Sequence, residues 1–179
     1  MPQQTLQPPL TAPDLLNATL ATQGFAVLGA ASVCALAGVP IEALQALEAS
    51  WSDLPPDQYL KDGGRYRRRR HASFEVTADK TVTTPHRAHW QPVSYNALHG
   101  GMQRWFDPMS ADVVAQTAWS SLLRWLARVA TDAQGAQTWF TEAHQFRIDT
   151  TDGIGRPTPE GAHRDGVNWV AVFLVGRHG

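Results

Sequence analysis

Nine residues near the end of this chain, Val167 to Val175, carry a single polar side chain, Asn168. A run this short falls well below the roughly 20 residues of a membrane-crossing helix and suits a strand covered on both faces. Such a strand forces a layered architecture, because other elements must lie on either side of it. The preceding segment, Pro157-Thr158-Pro159-Glu160-Gly161-Ala162-His163-Arg164-Asp165-Gly166, is dense in turn-forming residues and reads as a loop delivered to the mouth of that strand. A length of 179 residues with 43% hydrophobic content supports one domain with a real core and argues against two. The expected division is a disordered, Pro- and Gln-rich lead-in over residues 1–11 and a single domain over 12–179.

Periodicity sets the remaining expectations. A short helix starts near Asp14 and ends near Gly24, and Phe25 to Leu28 reads as a brief strand. Pro40 opens an amphipathic helix with Ile41, Leu44, Leu47 and Trp51 on one stripe, and Pro55 and Pro56 stop it. After the turn signal Asp62-Gly63-Gly64, residues 65–77 alternate as a strand. Arg67, Arg69, His71, Ser73 and Glu75 share one face; Arg68, Arg70, Ala72, Phe74 and Val76 share the other. Residues 78–109 are irregular and aromatic. Ser110 is placed as the N-cap of the longest helix, whose stripe includes Val113, Leu122, Trp125 and Val129 and which stops before Gly135. Thr138 to Asp149 and Val167 to Val175 are expected to be the closing strands.

Charge and composition exclude several classes. A net charge of -1 and a pI near 6.6 give no global attraction for nucleic acid or an anionic membrane. Residues 15–41 carry no charge, but Asn17, Thr22, Gln23, Gly24 and Pro40 break up any spanning helix, and no cation precedes Lys61 to start an export signal. With Cys34 as the sole cysteine, no intrachain disulfide can form, and a reducing cytoplasmic home is the simplest reading.

The residues that carry chemistry cluster late. His163 and Asp165, two apart on extended backbone, project to the same side, so an imidazole and a carboxylate can close on one metal ion. They amount to two of the three ligands of a facial site, and a third must come from elsewhere. Arg67 and Arg69 on one strand face are candidates to hold a substrate carboxylate, with Glu160 closing the loop above it. Gln145 and Arg147 are the pocket candidates on the strand before the loop, whereas His144, on its other face, reads as a hydrogen-bonded structural residue. His86, His89 and His99 lack a spacing that specifies zinc.

The segment Glu142-Ala143-His144-Gln145-Phe146-Arg147-Ile148, the loop Pro157 to Gly161, and His163-Arg164-Asp165-Gly166 resemble the 2-oxoglutarate/Fe(II) dioxygenases that include bacterial isoleucine hydroxylases and biofilm-stress-motility proteins. The likeness is strongest over residues 142–179. It implies an α+β, mainly β chain: a double-stranded β-helix of the jelly-roll, cupin-like kind, with helices packed outside. It also implies Fe(II) bound by His163, Asp165 and a distal His, with 2-oxoglutarate and O2 as cosubstrates and a free aliphatic amino acid such as isoleucine, leucine or methionine as substrate. His178 is too near Asp165 along the chain to be the distal ligand. The chain is therefore expected to lack its C-terminal part and to be inactive at this length. The competing reading is a non-catalytic β-helix protein that binds a small acid in stress response or biofilm regulation.

Overall fold

In the computed structural model, the described residues are 9–60, 65–96, 100–150, 153, 155 and 165–178. Residues 1–8 of the expected lead-in over 1–11, the turn at Asp62 to Gly64, His99 and most of the Pro/Gly-rich loop lie outside them. A three-stranded antiparallel sheet is packed on one side by helices. The helices are α1 (Leu16–Gln23), α2 (Ala30–Ala37), α3 (Ile41–Glu48), α4 (Ala111–Val114) and α5 (Thr117–Gln134), and the strands are β1 (Arg67–Val76), β2 (Thr81–Thr83) and β3 (Trp139–Ile148). The sheet order is β2-β1-β3.

The alternation in β1 decides how the sheet sits. Its second face turns apolar at Ala72, Phe74 and Val76, and these pack with Leu123 and Ala127 of α5, Trp139 and Ala143 of β3, and Trp119. Phe74 is fully buried, and each such side chain contributes on the order of 2 kcal/mol by leaving water. A second cluster joins α1, α2 and α5 through Leu16, Ala37, Val39, Ala118 and Trp125. Leu47 of α3 closes a third with Met109 and Val113. Between α2 and α3 the chain reverses at Gly38, whose φ of +68° is the left-handed conformation that a residue with a Cβ resists.

The structure departs from the periodic reading in four places. Phe25 to Leu28 is not a strand: Val27 accepts a hydrogen bond from the Thr11 amide, and no strand among the described residues pairs with the segment. Helix α2 was unforeseen. The long helix from Ser110 is broken at Ala115–Gln116 into α4 and α5, with Gln116 extended at ψ 134°. Val167 to Val175 forms no strand, and Val172 and Leu174 are 90% and 83% exposed. An apolar run becomes a strand only where a neighbour takes its backbone hydrogen bonds, and among the described residues none does so here. Helix therefore exceeds strand among the described residues, against the expectation of a mainly β chain. No single described helix is long and apolar enough to cross a membrane.

Candidate functional site

The register of β1 against β3 builds the site. Arg69 lies opposite Phe146, His71 opposite His144 and Ser73 opposite Glu142, so these side chains share the sheet face turned away from the helices. His89 reaches the same place from the irregular segment, which is held by a short antiparallel bridge between His89 and Arg104. Donor atoms of His71, His89, Glu142 and His144 all lie within 4.8 Å of one another. Three imidazoles and one carboxylate thus meet on the polar face of a sheet whose other face is core.

Their hydrogen bonds fix the protonation pattern. His89 Nδ1 and Glu142 Oε2 are 2.6 Å apart, and His71 Nε2 stands 3.7 Å from Glu142 Oε1, beyond hydrogen-bond distance. Burial alone would raise the Glu142 pKa, but the two imidazoles outweigh it and hold the carboxylate down at about 2. Arg69 Nη2 lies 2.6 Å from His144 Nδ1. Because guanidinium only donates, Nδ1 must accept, and the neutral ring carries its proton on Nε2. Burial first, then the charges of Arg69, His89, His71 and Arg104, push the His144 pKa well below its ordinary value. Geometry and charge agree that His144 is neutral.

Cations line the rest of this face. Arg67 and Arg69 share the fully enclosed carboxylate of Asp57, at 2.7 and 3.7 Å. The Arg69 guanidinium lies 3.7 Å from the Phe106 ring centre and 4.4 Å from that of Phe146. Burial lowers its pKa to about 9; Asp57 opposes that fall, while Arg67 and Arg104 add to it. Arg104 Nη2 donates to Gln91 Oε1 at 2.8 Å, and Gln91 Nε2 donates to Asp165 Oδ1 at 3.2 Å. Asp165 is thereby tied to a residue two positions beyond His89. Gly166 follows at φ +72°, where a Cβ would come within 2.6 Å of the Tyr95 ring, so a glycine lets this turn close on Tyr95.

The residues singled out from sequence are distributed as follows. Arg67 and Arg69 lie buried on the polar face. Asp165 lies beside it, while its partner His163 and the loop residue Glu160 fall outside the described residues. Gln145 and Arg147 do not join them, because alternation along β3 sends them to the helical side. Gln145 Nε2 donates to Ser50 Oγ at 2.7 Å, and Arg147 pairs with Asp149 at 3.6 Å. His178 sits against Glu48, remote from the cluster in its contacts. Sequence reasoning missed His71, His89, Glu142 and His144 as a group. The alternation did put His71 beside Arg67 and Arg69, but the pairing of His71 with His144 is a matter of register.

Residues 48–179 match the family model described as 2OG-Fe dioxygenase. The chain belongs to this family. A BsmA homologue from Methylobium petroleophilum has a similar crystal structure, with 47% identity and a TM-score of 0.82 over 89% of this chain and 65% of that one. IDO from Bacillus thuringiensis matches over 87% of this chain and 66% of its own, with a TM-score of 0.65 and 12% identity, a likeness of fold alone. The chain thus spans just under two thirds of either protein's length. No curated protein matches the sequence. The family implies Fe(II), 2-oxoglutarate and O2 as cofactors. The donors present fit such an ion: neutral or ionisable imidazoles and an ionised carboxylate suit a borderline divalent metal, and the His71, His89, Glu142 and His144 group could hold it.

Proposed function

We propose that the natural protein is an Fe(II)/2-oxoglutarate-dependent oxygenase that hydroxylates a free aliphatic L-amino acid of the isoleucine, leucine or methionine type. In this reading the domain is a cytoplasmic double-stranded β-helix, and His163 and Asp165 supply two of the iron ligands. What supports the substrate class is the polar face of β1: the buried guanidiniums of Arg67 and Arg69 share one carboxylate, and Arg69 is flanked by the rings of Phe106 and Phe146. A cationic fork beside apolar rings suits a molecule with a carboxylate at one end and a short hydrocarbon chain at the other.

The metal supplies activation of dioxygen at the expense of 2-oxoglutarate. The residues of this chain would do the rest. Arg69 would hold a substrate carboxylate, Phe106 and Phe146 would exclude water from it, and Gln91 would orient the Asp165 carboxylate by donating to Oδ1.

The test is succinate release from 2-oxoglutarate by the protein at its full natural length, with Fe(II) and each of the twenty amino acids in turn. Stimulation by one or a few aliphatic amino acids, abolished in Asp165→Ala, is the expected result. Binding of a small acid without turnover would point instead to the non-catalytic binder, and full turnover in Asp165→Ala would refute the assignment of that ligand.

A further inference from the structure

We propose that Arg104 is a positioning residue for the Asp165 carboxylate, acting through the side-chain amide of Gln91; the inference rests on the reading of Asp165 as an iron ligand. The amide is the centre of the arrangement. Its Oε1 accepts from Arg104 Nη2 at 2.8 Å and from Asn96 Nδ2 at 3.1 Å, and its Nε2 donates to Asp165 Oδ1 at 3.2 Å. A carbonyl oxygen has two lone pairs, and both are used here. Turning the amide over would set its NH2 against two other donors, so Gln91 can present only a donor to Asp165.

Burial makes this choice binding. Gln91, Asn96 and Arg104 are 7%, 2% and 3% exposed, whereas Asp165 is an exposed residue. Away from water, a misdirected amide would leave polar atoms without partners, which is costly. An exposed carboxylate carries no such constraint of its own and turns freely about its side-chain bonds. Its orientation is therefore imposed from the buried side.

Backbone bonds hold the buried side in place. His89 and Arg104 exchange two of them at 2.9 and 3.0 Å, and the Gly101 amide donates to the Gln91 carbonyl at 2.8 Å. The same segment also reaches the next residue along, because Tyr95 lies against Gly166. One segment thus grips the Asp165–Gly166 turn at two points. The charge of Arg104 adds to the grip: a guanidinium on Oε1 polarises the amide and makes its NH2 a stronger donor to a carboxylate.

The experiment is Co(II) titration of metal-free protein at its full natural length, read by the visible absorption of bound cobalt and by competition with a chelator. Asp165→Ala should abolish tight binding. Gln91→Met and Arg104→Met should each weaken it at least about tenfold and shift the cobalt spectrum. The double variant should bind no more weakly than Gln91→Met alone, because Arg104 acts through the amide. Arg104→Lys, which keeps a charged donor, should recover most of the loss, and that rescue separates positioning from a loss of folding. Cobalt binding unchanged in Gln91→Met but lost in Asp165→Ala would overturn the proposal and leave the ligand reading standing. Losses in Gln91→Met and Arg104→Met that simply add would overturn the route from Arg104 through Gln91. Binding unchanged in Asp165→Ala would sink the ligand reading, and this inference with it.

Discussion

Asp57→Asn is the sharpest probe of how the polar face is held together. The Asp57 side chain is fully enclosed, with Oδ2 at 2.7 Å from Arg67 Nε and 3.7 Å from Arg69 Nη1. Its Oδ1 accepts the Tyr59 amide at 2.9 Å, a bond that asparagine keeps. The substitution therefore removes a charge and little else. Two guanidiniums with about one-twentieth of their side-chain surface exposed would lose the anion they share. Removing one partner of a buried ion pair costs about 3–5 kcal/mol, a large part of the 5–15 kcal/mol that stabilises an ordinary domain. Urea denaturation at pH 7 should show a midpoint shift of that size with little change in slope. Asp53→Asn is the control: Asp53 is fully exposed and 3.9 Å from Arg70, and its loss should not register. A double-mutant cycle with Arg69→Met should recover part of the deficit. A loss under about 1 kcal/mol in Asp57→Asn would refute the claim that this carboxylate balances the buried cations.

Three further outcomes follow from the same geometry. Because His144 stays neutral when folded but titrates near 6.5 when unfolded, stability should be full above that pH and fall by up to about 1.4 kcal/mol per unit below it, a slope that His144→Asn would flatten in urea titrations. Glu142, held at about 2 instead of its ordinary 4.5, should contribute stability above 4.5 that is lost as pH falls toward 2; acid unfolding of Glu142→Gln should lack that component. Gly166→Ala should loosen the Asp165 turn, since it adds a Cβ 2.6 Å from Tyr95 at a left-handed φ; an unchanged melting temperature and unchanged Tyr95 fluorescence would count against that contact.

Much of the fold was legible because two elements announce themselves by period. Strand β1 alternates polar and apolar residues from His71 to Val76, and α5 carries a clean stripe through Leu122, Trp125 and Val129. Helix α2 was not legible, since Ala30 to Ala37 is mostly small and apolar, with Ser32 its one polar side chain, and offers no polar face to set against a buried one. The break at Gln116 has no proline or glycine to signal it. Of the site, Arg67, Arg69 and His71 could be placed on a common face from spacing alone. That His144 and Glu142 lie across from them depends on a register set by the burial of Phe74 and Val76, and His89 arrives from a segment with no period at all. Gln145 and Arg147 lie on the opposite side of β3 from His144 and Glu142, and spacing alone could not say which side faces the cluster, because that strand carries polar residues on both.

The two-sidedness of β1 has a consequence for how the chain reaches its native state. Sliding β1 by one position against β3 would drive Arg69 into α5 and turn Phe74 toward Glu142, so every near-miss alignment is penalised at several places at once. The partners lie far apart in sequence, as the Arg69–His144 separation of 75 residues shows, and loop closure over that span is slow. Helix α5 supplies the template, because only the correct alignment offers it a continuous greasy surface. Proofreading of strand alignment is thus assigned to a helix, and substitutions at Leu123 or Ala127 should trap misaligned chains during refolding more readily than changes among the arginines.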